Sequence, residues 1–251
     1  MMKKVKNILI SQPRPRTERN PYSEIETTYG VHCDFQQLIH IESLTAREFR
    51  DQHIYLEEYT AIILNSCLGV DIFFHLCEEL RFQVPETMHY YCKSETIGNY
   101  LQKYIQYRKR RVFAATNNRF EDLLPAMNRR PKEKYLMVMA DVHSDEDINM
   151  FARHKVIVKP AVMYRTVASV WPEEKPFNYD MIVLFTPTGA SALKKNFPNW
   201  EQGDTLIACF GANTAVVLEE NGYRVDIKAP SPEYPSITTA IKCYLEAQVG
   251  K

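Results

Sequence analysis

Four short stretches of the sequence place a hydroxyl side chain in a turn between an apolar run and an amphipathic one. They are NSCLGV at 65–70, CKSETIGNYLQK at 92–103, TPTGAS at 186–191 and CFGANTAVVLEENG at 209–222, and the hydroxyls are those of Ser66, Thr96, Thr186, Thr188 and Thr214. At the C-terminal ends of parallel strands, such turns leave backbone N–H groups unpaired at the positive end of a helix dipole, where carboxylate or phosphate is received. Each hydroxyl taken alone needs to do no more than N-cap its helix. Four turns in two pairs point to a facing anion-binding cleft. One other side chain suits such a cleft: Tyr164, in PAVMYRTV beside Arg165. A phenol with a pKa of about 10 is protonated at neutral pH and can donate a hydrogen bond to a leaving oxygen; packing is its alternative role.

Several chemistries lack their residues. G-x-x-x-x-G-K and G-x-G-x-x-G are absent and only eight glycines occur, so no nucleotide cofactor is expected. The seven histidines form no H-x-x-x-H pair, and no metal is expected. DVHSDED at 141–147 reads instead as a helix start capped by Ser144, with carboxylates in its first turn. RKRR at 108–111 reads as a helix end followed by a strand rather than a nucleic-acid patch. With 31 basic and 31 acidic side chains there is no net field for nucleic acid or membrane, so an anionic partner must be met by a local patch. There is no G-x-S-x-G elbow. Six scattered cysteines read as reduced thiols, and the absence of a long apolar run or a leader makes the cytoplasm the expected location.

The elements that must hold these residues alternate. Strand-like runs fall at 7–11, 60–64, 88–92, 111–114, 135–140, 180–185, 205–210 and 224–227, with helical patterns between them, such as 71–81 with Ile72, Phe73, Leu76 and Leu80 on one face. Such alternation predicts βαβ units and parallel sheets. Two extended stretches, 34–42 and 155–168, lack a helical period and read as a pair of ribbons joining two lobes. Residues 1–35 and 170–251 would then form a discontinuous first α/β lobe, 43–155 a second, and 36–42 with 156–169 the two-stranded β-ribbon between them. The spacing from Ser66 to Thr96 (96 − 66 = 30) resembles that from Thr186 to Thr214 (214 − 186 = 28), which suggests two copies of one lobe.

Taken in order, FTPTG at 185–189, FGANTA at 210–215 with Gly222 after it, APSPEYPS at 229–236, NSCLGV at 65–70 and VMYRTV at 162–167 resemble the uroporphyrinogen-III synthase family over essentially the whole chain. The resemblance implies two Rossmann-like (flavodoxin-like) α/β/α lobes joined by a ribbon. It also implies a cofactor-free lyase: hydroxymethylbilane, a linear tetrapyrrole with eight carboxylates, loses water and closes with inversion of its last ring to uroporphyrinogen III. Carried over residue by residue, the substrate-binding set is Ser66, Thr96, Thr186, Thr188, Gly189 and Thr214, with Tyr164 assisting departure of the hydroxyl. Arg14, Lys93, Arg165 and Lys194 are added on charge complementarity as carboxylate partners. Asn65, Cys67 and Lys93 depart from the family's usual Thr, Pro and Gly. A monomer is expected, with transient contact to the preceding pathway enzyme. The rival reading is a non-catalytic two-lobed binding protein for a polycarboxylate; a response-regulator-like domain would need an acidic cluster at strand ends that the first strand lacks.

Overall fold

The structure is a computed structural model that describes residues 4–15 and 20–249. The outermost ends of the first lobe as read from sequence, at residues 1 and 251, lie outside the described residues. In chain order the elements are β1 (Asn7–Ile10), α1 (Pro21–Tyr29), β2 (His32–Phe35), β3 (Ile39–Ser43), α2 (Ala46–Arg50), β4 (Ala61–Leu64), α3 (Cys67–Leu80), β5 (His89–Cys92), α4 (Glu95–Tyr100) and β6 (Val112–Ala114). There follow α5 (Leu124–Asn128), β7 (Tyr135–Ala140), α6 (Glu146–Arg153), β8 (Val158–Ala168), β9 (Met181–Leu184), α7 (Pro187–Asn196), β10 (Leu206–Phe210), α8 (Ala212–Glu220), β11 (Ile227–Ala229) and α9 (Ile237–Val249). The chain forms two compact units, residues 1–40 with 167–251 and residues 41–166.

The first unit is built on a five-stranded sheet in the order β11-β10-β9-β1-β2, and every pairing in it is parallel. Its strands are buried on both faces, which is why they read as continuous apolar runs rather than as alternating ones. Ile8, Ile10, Met181 and Val183 pack with Tyr22 and Ile25 of α1 and Ile241 and Leu245 of α9. The intervening Leu9, Ile182, Leu184 and Ile207 pack with Ala190 and Leu193 of α7 and Leu218 of α8. The sheet is thus covered on both sides by helices, as parallel crossovers require.

The second unit repeats that plan. Its six-stranded sheet has the order β3-β8-β7-β4-β5-β6, with β4, β5, β6, β7 and β8 joined by parallel pairings. Ile62, Leu64, Leu136 and Val138 face Val70, Phe73, Leu76 and Cys77 of α3. Ile63, Met137 and Met139 face Leu124 and Met127 of α5 and Met150 and Phe151 of α6. On α3 the buried positions Val70, Phe73, Phe74 and Cys77 recur at helical spacing, and Arg81 ends the helix in the left-handed region, its N–H closing onto Cys77 and Glu78.

Some local readings differ. RKRR at 108–111 is a turn leading into β6, closed by Arg111 N–H donating to the Arg108 carbonyl, not a helix end. The four cations have no apolar partner positions among them to make a helical face. Ser144 accepts from the Glu146 N–H at 3.2 Å, but the capping position of α6 is Asp145. The strand β2, absent from the apolar runs because His32 and Asp34 interrupt it, pairs with β1 as an edge strand. Residues 158–164 form a ladder with β7, so this stretch is a strand of the second sheet.

Candidate functional site

In the second unit, β4 delivers its chain into α3 through Asn65 and Ser66. Ser66 is extended (φ −155°, ψ 157°) and its Oγ accepts the Gly69 N–H at 2.9 Å, satisfying one of the N–H groups that open a helix. Gly69 permits that close approach: a Cβ there would lie 3.2 Å from the Ser66 Oγ and 3.7 Å from the Asn65 Oδ1. The Asn65 Oδ1 is itself buried without a hydrogen-bond partner among the described residues. The next turn is capped by Ser94, whose Oγ accepts from Ile97 N–H at 3.3 Å. Thr96 therefore does not cap; it is an exposed second residue of α4. Lys93 donates to Asp147 at 3.0 Å and lies 4.9 Å from the Phe120 ring centre.

Tyr164 sits on β8, opposite Ala140 of β7, with only 8% of its surface exposed. Burial raises its pKa, and the Ser66 hydroxyl partly offsets the rise. The phenol is therefore a neutral donor at any physiological pH. Arg165, next to it, is held by Glu42 and by Glu48, the latter at 2.6 Å. These carboxylates raise its already high pKa further. Its charge is met within the protein.

In the first unit, Thr186 repeats the Ser66 arrangement: extended backbone, with Oγ1 accepting the Gly189 N–H at 3.0 Å. Pro187 occupies the first helical position, where its missing N–H costs nothing. Thr188 is the second residue of α7 and does not cap it. The opening of α8 differs again, because its capping residue is Gly211 at φ 89°, with no side-chain cap. Thr214, three residues on, is buried (2% exposed) in the first turn of α8. Lys194 donates to the Pro198 carbonyl at 2.9 Å, and Arg14 pairs with Glu26 while lying 5.0 Å from the Phe35 ring centre. All four cations chosen on charge thus have internal partners. Among the described residues no group of three or more His, Cys, Asp or Glu side chains is placed to hold a metal ion.

The family model for uroporphyrinogen-III synthase HemD matches residues 22–239, nearly the full length described above. The chain belongs to the uroporphyrinogen-III synthase family. That membership makes it an enzyme of tetrapyrrole (haem) biosynthesis acting on a small-molecule tetrapyrrole. Uroporphyrinogen-III synthetase from Helicobacter pylori shares the fold at 16% identity, with 96% of this chain and 99% of that one covered and a TM-score of 0.55. Uroporphyrinogen III synthase from the extreme thermophile Thermus thermophilus is similar in a mutant crystal form (14% identity, 98% and 100% covered, TM-score 0.47). Another T. thermophilus uroporphyrinogen III synthase structure gives 16% identity over 96% and 99% at a TM-score of 0.42. No curated protein matches at the sequence level. Ser94 and Gly211, which the motifs do not single out, are the residues that open α4 and α8. A signal for Ser94 was present: it stands three residues before an apolar helix position, as Ser66 and Thr186 stand three before their glycines.

Proposed function

We propose that this synthase is a cyclising hydro-lyase in which Tyr164 supplies the proton for departure of the hydroxymethyl oxygen of hydroxymethylbilane. The C–O bond breaks with its electron pair going to oxygen, the electron-rich pyrrole supplies the electrons to carbon, and the phenol proton completes the water that leaves. The observation that supports this reading is the buried, neutral Tyr164 phenol packed in the core with α3. Unassisted closure gives the uninverted type I isomer, so the remaining task is orientation of a flexible chain. The helix openings at Ser66, Ser94, Thr186 and Gly211 supply N–H groups for its carboxylates. Thr188, Gly189 and Thr214 then act by shaping those openings. Segments 36–42 and 156–169 are proposed as the connection between the lobes, consistent with β3 lying beside β8 in one sheet.

The test is a coupled assay in which hydroxymethylbilane is generated in place and the isomers are separated. Type III in excess of type I is the expected result, and type I alone refutes it. Tight binding of a tetrapyrrole carboxylate without conversion would favour a binding protein instead. We further propose a cytoplasmic monomer that takes its labile substrate by transient contact with the preceding enzyme. Sedimentation at working concentration tests the first point, and a coupled rate resistant to a substrate-trapping competitor tests the second. No helix among the described residues is long and apolar enough to cross a membrane.

A further inference from the structure

The turns that open α3 and α4 lie at the C-terminal ends of β4 and β5. The opposite, N-terminal ends of the same sheet carry a cavity of about 500 Å³. Thr60 enters it just before β4, Thr87 and His89 at the start of β5, and the segment 129–133 on the way into β7. The four residues of β4, about 13 Å of strand, stand between this cavity and the turn at Ser66. Its volume falls in the range of pockets that hold organic molecules rather than bare ions.

The wall of the cavity is built on Glu133, whose side chain is only 9% exposed. Its Oε2 accepts the Tyr91 hydroxyl at 2.7 Å. Its Oε1 lies 2.6 Å from His89 Nδ1 and 3.7 Å from Arg130 Nε. That oxygen is inaccessible and has no aligned hydrogen bond, so it acts on the two neighbours by charge and is closed to a ligand. Arg130 also donates from Nη1 to the Ala126 carbonyl at 3.0 Å and lies 4.4 Å from the Phe113 ring centre. The His89 ring packs against the same Phe113 at 5.9 Å. Both side chains are thus held from below.

With the carboxylate closed off, the side chains left to a ligand are donors. The Thr60 hydroxyl accepts the Lys134 N–H at 3.0 Å and keeps its own proton to give. Arg129 and Lys132 are exposed, and their side chains have no hydrogen bond or ion pair among the described residues. Three cations therefore line the cavity against one carboxylate, in a chain whose 31 basic and 31 acidic side chains otherwise balance. We propose that this cavity is a non-catalytic binding site for a small organic dianion, a dicarboxylate or a phosphate monoester on an apolar body. Arg129 and Lys132 meet the anionic oxygens, with Arg130 fixed behind them, and the body rests on Pro131 and the aliphatic stems of the cations. The site is independent of the role of Tyr164.

The experiment titrates the full-length protein in low salt with isophthalate and with phenyl phosphate. Inorganic phosphate serves as the bare anion and benzylammonium as the opposite charge. Binding is followed by calorimetry and by the His89 ring signals in NMR, assigned by their loss in His89→Gln. At least one aryl anion should bind with a Kd of about 1 mM or tighter and move the His89 signals. Isophthalate alone marks a carboxylate site, and phenyl phosphate alone a phosphate-ester site. The double variant Arg129→Ala with Lys132→Ala should weaken binding about tenfold or more. Its melting temperature and its turnover in the isomer assay should stay unchanged, since neither side chain has an internal partner. If that variant fails to fold, Lys132→Ala alone and Thr87→Val carry the comparison. Still His89 signals with both aryl anions at about 10 mM overturn the proposal. So does binding that survives the double variant, or that inorganic phosphate or benzylammonium matches. Turnover that falls in step with binding overturns the non-catalytic placement.

Discussion

The turn that opens α3 and the turn that opens α7 have the same local construction and different surroundings. Each puts a hydroxyl in extended backbone at the end of a fully buried strand and hands it the N–H of a glycine three residues on, at 2.9 Å for Ser66 and 3.0 Å for Thr186. In each, a Cβ on that glycine would stand close to the capping oxygen, at 3.2 Å for Gly69 and 3.1 Å for Gly189. Thr186 is exposed, whereas Ser66 is half-buried and opens the helix that covers Tyr164 of the bulged strand β8. The same cap opens a helix in each unit, and in the second unit that helix covers a buried phenol. What distinguishes them is the tertiary partner, which no local pattern encodes.

The strongest way to break the comparison is to remove the phenol. Tyr164→Phe should lower kcat by about 10²-fold, the lower end of what a positioned general acid contributes. Its melting temperature should change little, since the ring still fills the core beneath α3. Equal turnover in the variant, measured as type III isomer formed, would put the two turns on the same footing as mere caps.

The second pair of openings gives the next largest effect. Gly211 precedes α8 at φ 89° and ψ 142°, a region that side chains other than glycine occupy only with strain. Gly211→Ala should cost about 1–3 kcal/mol in denaturant unfolding. Ser94→Ala, which removes only a side-chain acceptor from the short α4, should cost about 1 kcal/mol. Equal costs would mean that the backbone of Gly211 relaxes. Below these come Ser66→Ala and Thr186→Ala, each expected to lose about 1 kcal/mol of stability as an N-cap. Their stabilities should fall by matching amounts, because the two caps share one geometry.

Most of the fold was legible because the parallel strands are buried on both faces and so form unbroken apolar runs: MIVL of β9 and YLMVMA of β7 are visible as such. β2 was not, because an edge strand tolerates His32 and Asp34 on its exposed side. The turns were legible as a class but their capping atoms were not. In CKSETIG two hydroxyls lie two residues apart, and only the fold decides that Ser94 sits outside the helix and Thr96 inside it. In CFGANTA the conspicuous Thr214 is core, and the cap is a glycine conformation with no side chain to notice. Tyr164 was picked out by its place in an extended stretch, but its facing depends on a bulge, and a one-residue insertion in a ladder leaves no mark in composition or period. The four cations failed to be legible for a different reason: a charge on paper does not show the carboxylate, carbonyl or ring that already meets it.

The smallest effect concerns two such ion pairs, one in each unit. Glu48 caps α2 in a reciprocal box with Thr45, and the Arg165 guanidinium, followed by the Thr45 N–H and hydroxyl, holds its carboxyl down at about 2. A folded-state value below the usual 4.5 means that the pairing favours the folded protein above that pH and is lost as pH falls from 4.5 toward 2. In the first unit, Asp34 is partly buried, which pulls its carboxyl up, yet Lys175 at 2.8 Å and the Tyr179 hydroxyl draw it down by more. The Glu48 side chain is more exposed than that of Asp34 (37% against 24%), so salt should weaken its pair more than that of Asp34. Carboxyl 13C titrations in low salt and in about 1 M salt, where screening acts within ~3 Å, should show Glu48 moving upward and Asp34 nearly still. Arg165→Gln should raise the Glu48 titration only part of the way to its ordinary value, because Thr45 remains, with almost no change in stability at neutral pH. Should Glu48 resist salt as firmly as Asp34 does, the Arg165 triad must be shielded from solvent in solution, and Arg165 would then act as a rigid brace for the strand that carries Tyr164.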